Sequence, residues 1–283
     1  MRNDGWSRLV RHSYALGLRW LVRGARTSWK GSRVGLNRLL VPLDPWRFWE
    51  MGRVAEESFS GPCLDVSSPK LLPSLLESEG KGRWHAIDRF DLEIHRWKHV
   101  DPGLFLEVCD ARRLPFADQS FDHALTISVV EHIPGDGDAR ALREIFRVLR
   151  PGGILHLTTN VAREPRTLTH DRPAWGAASP EADGRVFFER HYGPVEISRL
   201  LQDPWERLVE EWAVERKGWI HDVFTGFRPL TYLAGGLLRF VCPGNFLVAA
   251  TSAILPPDRH GVLYLKLRKP AATAVTSGAD PKC

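Results

Sequence analysis

The hydrophobic positions in the central part of the chain predict strands and helices in alternation. Short apolar runs such as CLDVS at 63–67 and RWHAID at 83–88 are each followed by apolar residues at helical spacing. The runs are almost continuously aliphatic or β-branched, as strands covered on both faces require. We therefore predict an α/β fold with three layers, in which helices cover both faces of a largely parallel sheet. The predicted strands are 63–67, 83–88, 104–110, 121–130, 154–159, 206–216 and 261–269, and the predicted helices are 47–59, 69–79, 92–98, 138–149 and 194–201.

The pattern also divides the chain into regions. Residues 1–58 form a helical N-terminal arm, and residues 59–269 form the α/β domain. Residues 161–185 are rich in Arg, Pro, Ala and Gly without a clear period, which predicts a long loop over one end of the sheet. Residues 227–255 are an apolar insertion between the last two strands, and residues 270–283 have the composition of a disordered tail.

Charge separates the arm from the domain. The chain has a net charge of +5, but residues 1–43 alone hold nine Lys and Arg against one acid, Asp4. The remaining residues are therefore net acidic. Arginines interrupt each apolar run of the arm, so neither a cleaved signal nor a spanning helix is expected.

Three roles are open for the arm. Its apolar residues are Trp6, Leu9, Val10, Tyr14, Leu16, Leu18, Trp20 and Leu21. They can line one side of a basic helix that packs on the domain, lies on anionic lipid, or binds nucleic acid. Packing on the domain is the favoured interpretation. A peripheral membrane contact is the second choice.

Cysteine spacing excludes two classes of stabilised fold. The four cysteines (Cys63, Cys109, Cys242 and Cys283) lie far apart and form no CxxC pair. A disulfide framework and a zinc site are therefore not expected, and no metal site is predicted. A cytoplasmic location is the default for such a chain.

Acidic residues follow three successive predicted strands. Asp65, Asp88 and Asp110 each end one strand, and ligands of open parallel sheets bind beyond the carboxyl ends of strands. Asp88 lies 23 residues after Asp65, a spacing that suits a ribose diol, because a carboxylate accepts two hydroxyl hydrogen bonds. Asp110 and the backbone of Ala111 suit the amine and ring nitrogen of adenine. The set predicts a site for an adenosine.

The motifs CLDVSSP, AIDRF, CDARRLPFADQSFDHALTISVVEHI and ALREIFRVLRPGGILHLTT together resemble the class I S-adenosylmethionine-dependent methyltransferases, in particular those of the small-molecule "type 11" group. The resemblance covers about residues 60–160. It implies a Rossmann-like, seven-stranded sheet whose last strand is antiparallel, with S-adenosyl-L-methionine as cofactor. It implies Asp88 on the ribose, Asp110 and Ala111 on the adenine, and Ser128 and Val129 beside the methyl donor.

The loop after the first strand departs from this family. Ser67, Pro69 and Leu71 stand where a glycine-rich loop is expected, and glycines there let the backbone approach the cofactor. Our hypothesis is a remodelled, working loop in which Ser67, Ser68 and Lys70, next to Asp65, hold the methionine carboxylate of the cofactor. A solvated Lys70 is equally compatible with the sequence.

Two functions are therefore carried forward. The first is methyl transfer to a small-molecule acceptor, with a hydrophobic acceptor among the candidates and His132 as the candidate catalytic base. His132 can also simply shape the pocket. The alternative is a non-catalytic, methyltransferase-like protein that binds the cofactor or regulates. A nicotinamide dehydrogenase is disfavoured because GxGxxG is missing, and no nucleic-acid partner is expected. A homodimer stays open.

Overall fold

The computed structural model describes residues 4–27, 45–171, 184–217, 247–251, 255–256 and 259–271. The helices are α1 (Asp4–Thr27), α2 (Pro45–Ala55), α3 (Leu71–Ser78), α4 (Asp91–Val100), α5 (Gly137–Val148) and α6 (Pro194–Leu200), with a 3₁₀ turn at Val130–His132. The strands are β1 (Pro62–Val66), β2 (Arg83–Asp88), β3 (Phe105–Val108), β4 (Phe121–Ile127), β5 (Leu149–Val161), β6 (Arg166–His170), β7 (Val186–His191), β8 (Glu206–Glu215), β9 (Leu247–Ala250) and β10 (Gly261–Arg268).

The main sheet has the strand order β3-β2-β1-β4-β5-β10-β8-β9. Strands β1 to β5 are parallel, and β10 is antiparallel to both β5 and β8. The predicted three-layer α/β fold with an antiparallel last strand is confirmed. The described sheet has eight strands where seven were expected, because β9 pairs with the outer side of β8.

Two apolar cores cover the two faces of the sheet, because neighbouring residues of a strand point to opposite faces. In β4, Leu125 packs with the helices α1 to α4, whereas Ala124 packs with α5 and α6. In β5, Leu155 and Leu157 belong to the second core. This arrangement leaves the carboxyl ends of β1 to β5 along one edge of the sheet.

The N-terminal helix packs on the domain through one side. Leu9 and Leu16 of α1 are fully buried, and the His12 Nε2 lies 2.8 Å from the Ser74 Oγ of α3. On its outer side Leu18 and Val22 are more than half exposed. Among the described helices, none has a stretch both long and apolar enough to span a bilayer.

The predicted loop at 161–185 is wrong in part. Residues 166–170 form β6, which pairs antiparallel with β7 in a separate two-stranded sheet. A five-residue strand paired with a distant segment leaves too short a pattern to be recognised from periodicity. Most of the apolar insertion at 227–255 and nearly all of the tail at 270–283 lie outside the described residues, and β9 is the described part of the insertion.

Candidate functional site

Two serines in the left-handed backbone region mark the carboxyl edge of the sheet. Ser67 follows β1 with a φ of 56°, and Ser128 follows β4 with a φ of 47°. The strands β1 and β4 are neighbours, and the strand order reverses between them. Open α/β sheets bind ligands at such a reversal, and non-glycine residues in this backbone region are concentrated at functional sites.

Lys70 connects the acids at the ends of β1 and β2. Its Nζ lies 2.8 Å from the Asp65 Oδ2, 2.9 Å from the Ser68 carbonyl oxygen and 3.6 Å from the Asp88 Oδ2. The Lys70 side chain is 1% exposed and the Asp65 side chain is fully buried. Burial raises the pKa of both carboxyl groups, and the Lys70 ammonium acts in the opposite direction. The sequence placed this cation near the site but did not predict its two partners.

The remaining residues of the loop have internal partners as well. The Ser67 backbone N–H donates to the Ile87 carbonyl oxygen, at 3.0 Å. The Ser68 Oγ accepts the Ile127 N–H, also at 3.0 Å, which ties the loop to the end of β4. The Asp65 Oδ1 is buried without a hydrogen-bond partner among the described residues.

Asp110 is held by an arginine two residues further along the chain. The Arg112 Nη2 lies 2.6 Å from the Asp110 Oδ2, and the Arg112 Nε lies 3.0 Å from the Oδ1. This hydrogen bonding holds the pKa of Asp110 below its usual value. Ala111, between them, is buried. The carboxylate therefore stays ionised at the end of β3.

A second group of acids lies at the ends of β4 and β5. Glu50 of α2 accepts a short hydrogen bond from the Ser128 hydroxyl and a 2.7 Å hydrogen bond from the Thr158 hydroxyl. Val129, next to Ser128, is half-buried. Glu50 is buried in α2, where Trp49 and Met51 flank it. An acid among the apolar residues of a helix can be recognised from the sequence.

Glu131, in the 3₁₀ turn, is fully buried. Its Oε2 accepts the Thr159 hydroxyl at 3.1 Å, whereas its Oε1 has no hydrogen-bond partner among the described residues. Burial raises the pKa of Glu131 to about 8. The side chain therefore carries a proton at neutral pH.

His132 is oriented by the neighbouring two-stranded sheet. Its Nδ1 lies 2.9 Å from the Phe188 carbonyl oxygen, so Nδ1 carries the proton and the lone pair is on Nε2. The Nε2 lies 3.7 Å from the Glu189 Oε2. Burial lowers the pKa of His132 and keeps the ring neutral near pH 7.

Glu189 of β7 is itself hydrogen-bonded to the Asn160 amide (3.1 Å) and the His191 Nε2 (2.8 Å). The His191 Nδ1 accepts the Arg166 Nε–H at 3.1 Å, which assigns the proton to Nε2. A pocket of about 390 Å³ adjoins this group, with Arg166, Arg190, His191, Tyr192 and Arg199 among its lining residues. None of Glu50, Glu189 and Asn160 was predicted as a site residue.

The segment that forms much of this edge of the sheet is similar to known proteins. Residues 67–157 match the family model described as a methyltransferase domain. Methyltransferase GfsG of Streptomyces halstedii is 40% identical over 81 residues, which are 27% of this chain and 28% of that protein. The matched segment is thus similar to methyltransferase domains.

Other similar proteins align with more of the chain. A demethylmenaquinone methyltransferase of Mycobacterium sp. (strain KMS) is 36% identical over 134 residues, 44% of this chain and 53% of that protein. This chain thus spans about half, or less, of the length of these curated relatives. A SAM-dependent methyltransferase from Methanosarcina mazei aligns over 76% of this chain and 95% of its own, with 16% identity and a TM-score of 0.49.

The residues at this edge of the sheet are chemically suited to a nucleoside cofactor. Asp88 and Asp110, at neighbouring strand ends, supply carboxylate oxygens for hydroxyl and amine donors. The left-handed Ser67 supplies the backbone turn that a glycine usually makes after the first strand. The orphaned Asp65 Oδ1 is an acceptor at the same end.

Proposed function

We propose that this protein transfers a methyl group from S-adenosyl-L-methionine to a small-molecule acceptor. The observation that supports it most is the carboxyl edge at the strand reversal, where strand-end carboxylates and two left-handed serines occur together. The matched family model covers this edge from Ser67 to the end of β4 and beyond, to Leu157.

In this proposal the cofactor lies across the ends of β1 to β4. Asp88 accepts the ribose hydroxyls, because its Oδ1 is already oriented by the Phe90 N–H at 3.0 Å. Asp110 and Ala111 border the adenine. Ser128 and Val129 border the methyl-donor end. The loop formed by Ser67, Ser68 and Lys70, with Asp65 beneath it, borders the methionine part.

When bound, the cofactor supplies an electrophilic methyl group. The protein's task is to hold the acceptor in line with that group, to exclude water, and to remove a proton when the acceptor is protonated. His132 is placed for the last step, since its Nδ1–H is fixed by the Phe188 carbonyl and its neutral ring has a lone pair on Nε2.

The proposal is tested by transfer of a labelled methyl group from S-adenosyl-L-methionine into extractable small molecules. The purified chain should label a product, and Asp88→Asn should lower the rate at sub-saturating donor by at least about tenfold. Asp91→Asn is the matched control, because Asp91 is an exposed acid three residues further along. Equal rates for the wild type and the Asp88 variant would contradict the assignment of the ribose site.

The acceptor is proposed to be hydrophobic. The similarity to a demethylmenaquinone methyltransferase and the apolar composition of residues 227–255 support this choice. A panel of labelled-methyl assays with quinol, phenol and amine acceptors, each with and without a long alkyl chain, distinguishes the classes. Preference for the alkylated members is expected, and indifference to the chain would contradict the proposal.

A second candidate function is a cofactor-binding or regulatory domain without turnover. The position of Lys70 favours it, because the ammonium lies between two acids at the edge where the cofactor is expected. Binding of S-adenosylhomocysteine without any transfer to the acceptor panel would support this function.

We further propose a cytoplasmic protein with a peripheral membrane contact through the basic arm. Leu18 and Val22 of α1 are exposed, and residues 1–43 have an excess of eight positive charges. Deletion of residues 1–40 should then release the protein from anionic vesicles. Equal vesicle binding before and after the deletion would count against the contact. A homodimer is a further proposal, tested by the mass in solution.

A further inference from the structure

The loop after β1 lacks the glycines of the family that it resembles. It contains a buried cation, Lys70. Lys70 immediately precedes α3, has helical backbone angles (φ −59°, ψ −9°), and extends its side chain back beneath the loop. The side chain is 1% exposed, although an ammonium in water is strongly hydrated. Partners within the protein must therefore replace that hydration.

Two hydrogen bonds and one longer ion-pair contact surround the ammonium. A lysine ammonium has three N–H donors. Two of them have hydrogen-bond partners in the Asp65 Oδ2 and the Ser68 carbonyl oxygen, and the third faces the Asp88 Oδ2 at 3.6 Å. The charge of the ammonium is thus compensated by groups of the protein itself.

The contacts also determine how Asp88 is held. The Asp88 Oδ1 accepts the Phe90 N–H at 3.0 Å, and the Oδ2 faces Lys70. One oxygen is thus fixed by the backbone and the other by the cation. Asp110 is arranged in the same way, with Arg112 donating to its carboxylate. Each acid of the predicted nucleoside site is thus faced by a cation, Asp88 by Lys70 of the loop after β1 and Asp110 by Arg112 two residues further along.

We propose that Lys70 is a positioning residue, which acts as the permanent counter-ion of Asp65 and Asp88 and orients Asp88 toward the ribose. It supports the nucleoside half of the cofactor and not the methionine carboxylate. This inference rests on the proposed function for the identity of the ligand. The role as counter-ion concerns the protein without ligand and stands by itself.

The test compares two ligands that differ in the methionine part. S-Adenosylhomocysteine has the amino-acid group, and 5′-methylthioadenosine lacks it. Calorimetry of both is carried out on the wild type, Lys70→Met, and Lys98→Met, where Lys98 is an exposed lysine of α4. Lys70→Met should weaken both ligands by the same factor, at least about tenfold, and Lys98→Met should change neither. A loss confined to S-adenosylhomocysteine would overturn the proposal and restore Lys70 as a carboxylate ligand.

Thermal unfolding without ligand keeps the proposal testable when Lys70→Met binds poorly or is unstable. Lys70→Met should lower the Tm by about 10 °C, because it leaves two buried carboxylates without their cation. The charge-balanced double variant Asp65→Asn/Lys70→Met should recover at least half of that loss. An unchanged Tm in Lys70→Met, or no recovery in the double variant, would overturn the counter-ion role. Failure of the wild type to bind either ligand would instead contradict the proposed function.

Discussion

At the β1–β3 end of the carboxyl edge, a cation lies against each acid. Lys70 contacts Asp65 and Asp88, and Arg112 contacts Asp110. At the β4–β5 end, hydroxyl groups lie against Glu50 and Glu131, and an amide and histidines surround Glu189. In this second group Glu50 also accepts a hydrogen bond from Arg47, at 3.2 Å.

The two ends of the carboxyl edge are suited to different tasks, recognition of a ligand at one end and proton transfer at the other. Asp110, hydrogen-bonded to Arg112, stays ionised and presents a fixed acceptor, which suits recognition of hydroxyl and amine donors. Burial raises the pKa of Glu131, beside the Thr159 hydroxyl, to about 8. The end that borders the expected acceptor, where His132 lies, is therefore the end that can hold and move a proton.

The largest effect is expected from removing the cation at the first end. Lys70→Met should lower the free energy of unfolding by about 3–5 kcal/mol, since a broken buried ion pair leaves uncompensated charge. Urea unfolding at pH 7.5 measures it. A loss below about 1 kcal/mol would mean that the two ends do not differ as described.

The second prediction concerns the base at the other end. His132→Ala should lower kcat by about a hundredfold with little change in cofactor affinity, if the acceptor loses a proton in the reaction. In the wild type the rate should fall on acidification below the ordinary histidine range, because burial lowers the pKa of His132, and should be level between pH 7 and 8. A variant that keeps the wild-type kcat leaves His132 with only a packing role.

Glu131→Gln should raise the free energy of unfolding, whereas Lys70→Met should lower it. The folded pKa of Glu131, about 8, is above its ordinary value of 4.5, so the folded state binds more protons between these values and the wild type loses stability as pH rises through that window. Glutamine does not titrate and avoids this loss. The variant should be more stable than the wild type by about 1–3 kcal/mol at pH 8 and equal to it near pH 4.

Urea unfolding of the wild type and Glu131→Gln at several pH values checks this prediction. A stability difference independent of pH would contradict the buried, protonated state of Glu131. If the difference has the predicted sign, the natural residue reduces stability, which is a pattern typical of functional sites.

The smallest effect is expected at Arg112. Its pair with Asp110 is part-exposed, with side-chain exposures of 28% and 39%. Arg112→Met should therefore change the free energy of unfolding by less than about 1 kcal/mol, and by less still in high salt. A loss as large as that of Lys70→Met would show that burial does not distinguish the two cations.

The fold and the strand-end acids were predictable because both depend on local patterns. Periods of two and 3.6 residues identify strands and helices, and the acids follow the strands directly in sequence. The antiparallel last strand was obtained through the family resemblance. The short strand β6 was missed because its pairing partner, β7, gives no signal near 166–170.

The contacts within the site were less predictable because they depend on the directions of long side chains. Lys70 and Asp65 are five residues apart, but nothing local determines that the ammonium turns inward. Glu50 reaches Ser128 across 78 residues of sequence. Its position in an apolar helical stripe is a usable signal, since buried charges are retained only when they have partners.

Binding of S-adenosylhomocysteine to the wild type and to Asp88→Asn, measured by calorimetry at pH 7.5, tests the central claim most directly. The account predicts one site per chain in the wild type and an affinity at least about tenfold weaker in the variant. No heat of binding in the wild type at about 1 mM ligand would contradict it.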